Sequence, residues 1–247
     1  TQVHSPKTVV LLADTFTNYY EPAVAIDAVR VLEAAGYTVV VPKPTCCGRP
    51  QISKGLHAPA VDAARATVMQ LLPYIDRGVP ILGLEPSCLL TFRDEYPSLL
   101  QSEESKTLAA GSWLVEEFLA NEAAAGQLTL NLRSRDSEVL LHGHCHQKAI
   151  ATTRATRAAL DLIPGLKVSE IDSGCCGMAG SFGYEVGHYD LSVAMAERVL
   201  APRIRAASQD TTIVANGTSC RHQIADLTGR TALHVVQVLA RALNTSG

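Results

Sequence analysis

The sequence lacks a run of basic residues, a long apolar run and a large share of aromatic side chains. Its 21 Lys and Arg residues are balanced by 24 Asp and Glu residues, which gives a net charge of -3. Without a basic patch, a nucleic acid or an anionic membrane is not expected as the main partner. No window approaches the roughly 20 apolar residues of a membrane-spanning helix. We therefore expect any membrane contact to be made through a partner protein.

The beginning of the sequence, TQVHSPKTVVLLAD, lacks the basic start and small-residue cleavage site of a secretory signal. The seven cysteines are an odd number, and they occur in doublets or beside Gly, His and Pro. A small secreted disulfide framework would spread them differently. We therefore predict a cytoplasmic chain whose cysteines bind metal or do redox chemistry, with inert buried thiols as the alternative.

A Cys-Cys-Gly triplet occurs twice, at residues 46–48 and 175–177. At similar distances downstream, VPILGLEPSC ends in Cys88 and TTIVANGTSC ends in Cys220. Because adjacent cysteines rarely bridge to each other, each doublet is expected to direct two thiolates at a common ligand. The pattern predicts a duplicated chain.

The upstream position differs between the two halves. Cys145, in VLLHGHCHQKA, precedes the second triplet at nearly the distance by which Asp14, in TVVLLADTFTN, precedes the first. The duplication therefore changes one ligand position, from cysteine to aspartate.

Short apolar runs alternate with helical periodicity in both halves, which is typical of an α/β protein with parallel sheets. We predict two duplicated lobes, residues 1–110 and 111–247, related by a pseudo-two-fold axis. The ligand candidates follow predicted strands, and sites in open parallel sheets lie at these carboxyl ends. Helix N-termini there would stabilise thiolates. The candidates are Asp14, Cys46, Cys47, Cys88, Cys145, Cys175, Cys176 and Cys220.

Cys145, Cys175, Cys176 and Cys220 supply the four thiolates that an iron–sulfur cluster or a structural zinc requires. Zinc modules usually present compact knuckles, whereas these cysteines come from three predicted strand ends. This spacing favours a cluster over zinc. The glycines that follow the doublet would let backbone N–H groups approach sulfur. A phosphate-binding loop is the competing interpretation, but the segment lacks the GK[ST] ending.

In the first half, Asp14, Cys46, Cys47 and Cys88 form a candidate second metal site. Soft thiolates are what iron–sulfur clusters and zinc select, so a carboxylate oxygen in the place of one thiolate predicts a weaker or degenerate site.

These motifs resemble the cysteine-rich CCG domain that is found in heterodisulfide reductase, the glycolate oxidase iron–sulfur subunit and lactate-utilisation proteins. The segments that carry the resemblance are DTFTNYYEP, CCGRP, GLEPSC, HCHQKA, CCGMAGSFGYE and NGTSCRHQI. CCGMAGSFGYE together with GHCHQKA is most similar to the C-terminal part of FAD-linked D-2-hydroxyacid dehydrogenases, of the D-lactate or D-2-hydroxyglutarate type.

The resemblance implies an iron–sulfur electron-transfer domain or subunit with a [4Fe-4S] cluster. It would accept electrons from FAD on a partner domain and pass them to a ferredoxin-like domain or another acceptor. The chain lacks a C-x-x-C at Cys88 or Cys220, so a noncubane five-cysteine cluster is not expected. It also lacks ferredoxin C-x₂-C-x₂-C-x₃-C-P runs and a flavin-binding region, which implies a fragment or subunit of a larger enzyme.

Two alternatives stay open. The chain would be a thiol–disulfide reductase domain if Cys175 and Cys176, or the first-half pair Cys46 and Cys47, react with a disulfide. It would be an interaction domain if zinc fills the four-cysteine site. Histidines 142, 144 and 146 are expected to hydrogen-bond backbone or thiolate sulfur. Aromatic residues beside the ligand loops predict a weakly charged surface for a partner: Phe16, Tyr19, Tyr20, Phe182 and Tyr184.

Overall fold

A computed structural model describes residues 7–244. The chain divides into two compact units, and the boundary along the sequence lies between Asn131 and Leu132. This boundary lies later than the predicted one at residue 110, because Ser112–Leu114 forms a strand that pairs with the first sheet. The sequence pattern predicts an amphipathic helix over residues 112–124, but the helix in the structure begins only at Val115.

The first unit contains a four-stranded parallel sheet of order β2-β1-β3-β4. Its strands are β1 (Lys7–Leu11), β2 (Tyr37–Val40), β3 (Ile81–Gly83) and β4 (Ser112–Leu114). Its helices are α1 (Thr15–Tyr19), α2 (Pro22–Ala34), α3 (Arg49–Ser53), α4 (His57–Ile75), α5 (Pro86–Arg93), α6 (Glu95–Leu100), α7 (Glu103–Gly111) and α8 (Val115–Ala124).

The second unit repeats this plan with a parallel sheet of order β6-β5-β7-β8. Its strands are β5 (Glu138–His142), β6 (Lys167–Glu170), β7 (Thr212–Ala215) and β8 (Ala232–Leu233). Its helices are α9 (Cys145–Ile150), α10 (Arg154–Asp161), α11 (Tyr189–Glu197), α12 (Leu200–Arg205), α13 (Thr218–Thr228) and α14 (Val235–Ala242), with a short 3₁₀ turn at Phe182–Tyr184. The shared strand order confirms the predicted α/β duplication.

Buried strands hold each unit together. Val9, Val10 and Leu11 of β1 are almost fully buried, as expected for a parallel strand between layers of helices. In the second unit, Cys176 and Cys220 belong to the apolar core itself, packed with side chains such as Ile213. The core therefore fixes these two sulfur atoms in place.

One predicted helix is broken in the structure. The sequence pattern predicts a single helix over residues 149–162, but α9 ends at Ile150 and α10 begins at Arg154. Between them, Thr152 adopts φ 61°, a left-handed conformation that interrupts a right-handed helix.

The order of the strands determines where a site can form. In each sheet the first strand of the chain lies between the second and the third, so the connections leave it in opposite directions. Ligands of open α/β sheets bind at the carboxyl edge beside such a reversal. All the predicted ligand positions follow strands that end at this edge. Among residues 7–244, no helix is long and apolar enough to cross a membrane.

Candidate metal centre

The four cysteines of the second unit come from three strand ends. Cys145 is the first residue of α9, after β5, and Cys220 lies in the first turn of α13, after β7. Cys175 and Cys176 follow β6 in a loop. The fold thus gathers residues that are far apart in sequence, as the spacing predicts.

Their thiols form a continuous chain of contacts. Cys175 contacts both Cys145 and Cys176, and Cys176 also contacts Cys220. Cys176 and Cys220 are buried, whereas Cys145 and Cys175 are half-buried. The chain of sulfur atoms therefore runs from the core to the surface.

Gly177 explains why a glycine follows the cysteine doublet. Its φ of +95° is in the left-handed region, and a Cβ there would lie 2.1 Å from the backbone oxygen of Ser192. In this conformation the Gly177 N–H points at Cys175 Sγ, with an N···S distance of 3.3 Å. Such N–H groups stabilise a thiolate.

Further backbone N–H groups approach the same cluster of sulfurs. Ala179 donates to Cys175, Met178 to Cys176 and His146 to Cys145. The loop and the start of α9 therefore supply donors to three of the four thiols before any ligand is considered.

His142 lies at the base of this group and is 1% exposed. Its Nδ1 is 2.9 Å from Ser173 Oγ. One ring nitrogen lies within 4.8 Å of both Cys176 Sγ and Cys220 Sγ, and these two sulfurs lie within the same distance of each other. Nε2 is buried and makes no hydrogen bond to a nitrogen or oxygen atom of the described residues.

The surroundings of the thiols favour charge on two of them. Contact with Cys176, followed by the His142 and His144 rings, lowers the pKa of Cys220 against the effect of burial. Contacts with Cys145 and Cys176 lower the pKa of Cys175. The same contacts raise the pKa of Cys145 and of Cys176. The group is therefore poised to supply thiolates, the form that binds metal.

The first unit places its three cysteines at the corresponding positions, Cys46 and Cys47 in the loop after β2 and Cys88 in the first turn of α5. Cys46 contacts Cys47, and Cys47 contacts Cys88. Gly48 again has a left-handed φ, of +80°, and its backbone N–H bonds the Cys46 sulfur. Tyr96 fixes the loop, because its hydroxyl donates to the Cys47 backbone oxygen at 2.9 Å.

Asp14 follows the equivalent strand of the first unit, but its carboxylate caps a helix. It caps α1, since Oδ1 accepts the N–H groups of Phe16 and Thr17 at 2.8 and 3.1 Å. Oδ2 accepts the Thr17 hydroxyl at 2.8 Å. Burial and the charge of Glu85 raise the pKa of Asp14 to about 6.

Glu85 is a site residue that the sequence pattern indicates only as a cap or a surface charge. It is 3% exposed and accepts the N–H and the hydroxyl of Ser87 at 3.2 and 2.6 Å. Contact with Cys47 lowers the pKa of Cys88, but burial and the charges of Asp14 and Glu85 outweigh it and raise the pKa. The paired segments LEPSC and NGTSC contain the signal, because Gly217 occupies this position in the second unit.

At Gly217 no side chain can be added without collision. A Cβ would lie 2.4 Å from His144 Cδ2 and 3.4 Å from Cys220 Sγ. The glycine therefore keeps the space beside Cys220 for the imidazole and for whatever the thiolates bind.

The donor set of the second unit fits an iron–sulfur cluster. Four contiguous thiols, backbone N–H groups aimed at sulfur and an unsatisfied buried imidazole nitrogen are what such a group needs. A zinc ion is chemically compatible with the same region, since a His142 ring nitrogen and the sulfurs of Cys176 and Cys220 lie within 4.8 Å of one another. The first unit offers three thiols, and at one of them, Cys88, two buried carboxylates oppose ionisation.

Both units match a known protein family. The family model for the cysteine-rich domain, CCG, matches residues 13–93 and 139–225, one match in each unit. The chain belongs to this family.

Curated relatives are dehydrogenases or their subunits. A subunit of the anaerobic glycerol-3-phosphate dehydrogenase of Escherichia coli is 31% identical over 92% of this chain and 57% of its own length. The D-2-hydroxyglutarate dehydrogenases of Escherichia coli and Pseudomonas putida are 32% and 28% identical, and the chain covers 22% and 23% of their lengths. The chain thus spans just over half of one relative and less than a quarter of the others.

A crystal structure of a hypothetical protein from Helicobacter pylori has the same fold. It aligns with 98% of this chain and 50% of its own chain, with a TM-score of 0.56 and 13% sequence identity.

Proposed function

We propose that this chain is the iron–sulfur electron-transfer domain or subunit of a flavin-dependent dehydrogenase, with a [4Fe-4S] cluster on Cys145, Cys175, Cys176 and Cys220. The observation that carries the proposal is the chain of contacts among these four thiols at the carboxyl edge of the second sheet. When bound, such a cluster accepts and releases one electron at a time.

The four cysteines and the Gly177 amide would hold different sides of this cluster. Cys176 and Cys220 anchor it to the apolar core, which keeps water from the inner sulfurs. Cys175 and Cys145 lie nearer the surface and give electrons a short way out. The Gly177 N–H offsets part of the negative charge that gathers on the thiolates.

The substrate that we propose is a D-2-hydroxy acid, oxidised by FAD on a partner domain or subunit. Two supports are the motifs CCGMAGSFGYE and GHCHQKA and the similarity to D-2-hydroxyglutarate dehydrogenases. Similarity to part of a glycerol-3-phosphate dehydrogenase makes that substrate the alternative. A ferredoxin-like domain or another acceptor would receive the electrons.

An exposed apolar surface beside the Cys175 loop is the proposed contact for this partner. Tyr184 is 66% exposed, and Val186, Tyr189 and Leu191 are also exposed. Phe182, which the sequence predicts in the same surface, instead stacks on His188 with 4.0 Å between ring centroids. In the first unit, Tyr19 and Tyr20 are exposed near Asp14.

Anaerobic metal and sulfide analysis, with EPR after reduction, tests the cofactor. We expect about four iron and four sulfide per chain and a paramagnetic signal on reduction. Stoichiometric zinc without sulfide would instead establish the zinc-stabilised domain and refute the proposal.

Flavin reoxidation tests the electron-transfer role. In the complete enzyme, Cys175→Ser should leave reduction of the flavin by substrate intact and slow its reoxidation by at least about tenfold. Cys46→Ser, at the equivalent position of the first unit, is the matched control and should reoxidise at the wild-type rate. Normal reoxidation in Cys175→Ser would contradict the relay.

One observation also favours the thiol–disulfide alternative. Cys175 is half-buried rather than enclosed, and contacts with Cys145 and Cys176 lower its pKa, so it is an accessible thiolate. Turnover of a small disulfide by protein that contains no iron would establish this function.

A further inference from the structure

We infer that His142 is a positioning residue for the proposed cluster: its Nε2–H donates a hydrogen bond to the Cys220 thiolate and thereby raises the reduction potential of the site. This inference rests on the proposed function. The supporting features are the burial of His142, its bond to Ser173 and its distance from two sulfur atoms.

The bond to Ser173 determines which ring nitrogen is available. Ser173 Oγ lies 2.9 Å from His142 Nδ1, and we assign the hydroxyl as the donor of this bond. A neutral imidazole whose Nδ1 accepts a hydrogen bond carries its proton on Nε2. The arrangement therefore presents an N–H on the other side of the ring.

The position of Ser173 is itself well fixed. Its side chain is buried, its backbone N–H donates to Ile171 O at 2.8 Å, and its backbone oxygen accepts a bond from Lys148 Nζ. The serine therefore cannot swing away without breaking backbone contacts, and it fixes the orientation of the ring.

Nε2 is a buried donor that needs an acceptor. It has no hydrogen-bond partner among residues 7–244. An unsatisfied buried N–H costs about 1–3 kcal/mol, so native proteins pair such groups. Cys176 Sγ and Cys220 Sγ are the metal-binding atoms within 4.8 Å of the ring. Cys220 is the acceptor that the geometry favours, because the His142 side chain contacts its thiol.

The same position in the first unit shows that the fold does not require a histidine there. Leu11 ends β1 as His142 ends β5, and both are fully buried. Leucine fills the strand end without a polar group. The imidazole of the second unit is therefore tied to the sulfur atoms rather than to the packing of the sheet.

A hydrogen bond to a ligating sulfur favours the reduced state, because reduction adds negative charge to the cluster and its ligands. Removal of the donor should therefore make the midpoint potential more negative. The ligands themselves stay in place, so the metal content should not change.

The test is a redox titration of the intact cluster-containing protein, followed by EPR, with iron and sulfide measured on each sample. His142→Leu removes the donor and keeps an apolar side chain that the equivalent position accommodates. We expect wild-type iron content and about a tenfold lower ratio of reduced to oxidised cluster at a fixed potential, which corresponds to about 59 mV for one electron.

Three further variants separate the hydrogen bond from other effects. His142→Gln retains an N–H donor and should recover most of the potential. Ser173→Ala removes the group that fixes the ring and should shift the potential in the same direction by a smaller amount. His222→Gln, at an exposed histidine whose Nδ1 is 3.0 Å from Tyr184 Oη, should leave the potential unchanged.

The outcomes are distinct. An unchanged potential in His142→Leu with full iron content overturns the inference and leaves the proposed function standing. Loss of iron from folded His142→Leu shows that His142 is a ligand and also overturns it. If His142→Leu does not fold, Ser173→Ala decides: an unchanged potential overturns the inference. Wild-type protein that binds no iron overturns the proposed function and this inference together.

Discussion

The two units use the same strand order and the same Cys-Cys-Gly loop, but they surround their thiols with opposite kinds of side chain. In the second unit, His142 and His144 lower the pKa of Cys220 after the larger effect of Cys176. In the first, Asp14 and Glu85 raise the pKa of Cys88. The fold supplies the place for a metal centre, and a few residues at strand ends decide whether thiolates form there.

Position 85 shows how small the difference is. Glu85 and Gly217 each lie three residues before the last cysteine of their unit. The glycine leaves space next to Cys220, whereas the glutamate adds a buried charge next to Cys88. The units therefore differ at three positions around the thiols: Asp14 stands in place of Cys145, Glu85 in place of Gly217 and Leu11 in place of His142.

The largest expected difference is in metal content. Cys220→Ser should reduce bound iron at least about tenfold, since it removes one of four ligands and the thiolate that the histidines favour. Cys88→Ser should leave iron at the wild-type level, because we assign the cluster to the second unit. Iron and sulfide per folded chain are measured, with circular dichroism as the check on folding. Equal losses in both variants would show that both units bind the cofactor.

Substitution of the two loop glycines tests how strongly the stability of each unit depends on the glycine after its cysteine doublet. Gly177→Ala should destabilise the metal-free chain by about 1–3 kcal/mol or more, because its Cβ would meet a backbone oxygen at 2.1 Å and its φ is positive. Gly48→Ala should cost about 1 kcal/mol, since its nearest contact is the Ala63 Cβ at 3.2 Å. Urea unfolding gives both values. A larger loss at Gly48 would contradict the account.

A gain of metal in the first unit is a smaller expected effect. Asp14→Cys combined with Glu85→Gly should let the first unit bind additional iron, because it restores a fourth thiol and removes a buried charge. The gain should be partial, since loss of the Asp14 cap costs about 1 kcal/mol. Iron content is compared with that of Asp14→Cys alone, which retains Glu85. If the double variant binds no more iron than wild type, then the two carboxylates are not what limits the first unit.

The smallest expected effect is a change in the hydrogen-exchange rate of single backbone amides. Binding of a cluster should slow hydrogen exchange of the Gly177 amide, because the Cys175 sulfur that accepts it becomes fixed and more negative. The Gly48 amide, which bonds Cys46 in the same way, should keep its rate. Exchange measured on metal-free and cluster-loaded protein gives the comparison. Equal protection of both amides would mean that ligand binding is shared.

Much of the fold could be predicted because the signal is local. Short apolar runs, helical periodicity and the repeated triplet identify the strand ends and the duplication. The fourth strand of each sheet could not be recognised, since Ser112–Leu114 and Ala232–Leu233 are only three and two residues long. The first of these is what moves the boundary beyond residue 110. The pseudo-two-fold relation of the lobes stays a prediction.

The four cysteines of the second unit could be named from spacing, but their surroundings could not. His142 is separated from Cys220 by most of the second unit, and Ser173 carries no motif of its own. Their relation depends on β5 and β7 being neighbours in the sheet. Similarly, nothing in the local sequence distinguishes Glu85 as buried. Such contacts are set by tertiary packing, which a single sequence does not reveal.

The most direct test of the central claim is a crystal structure of the anaerobically prepared protein with anomalous diffraction measured at the iron edge. We predict iron density bonded to the four sulfurs of Cys145, Cys175, Cys176 and Cys220, and none beside Cys88. Iron density beside Cys88, or zinc density alone between His142 and the cysteines, would contradict the account.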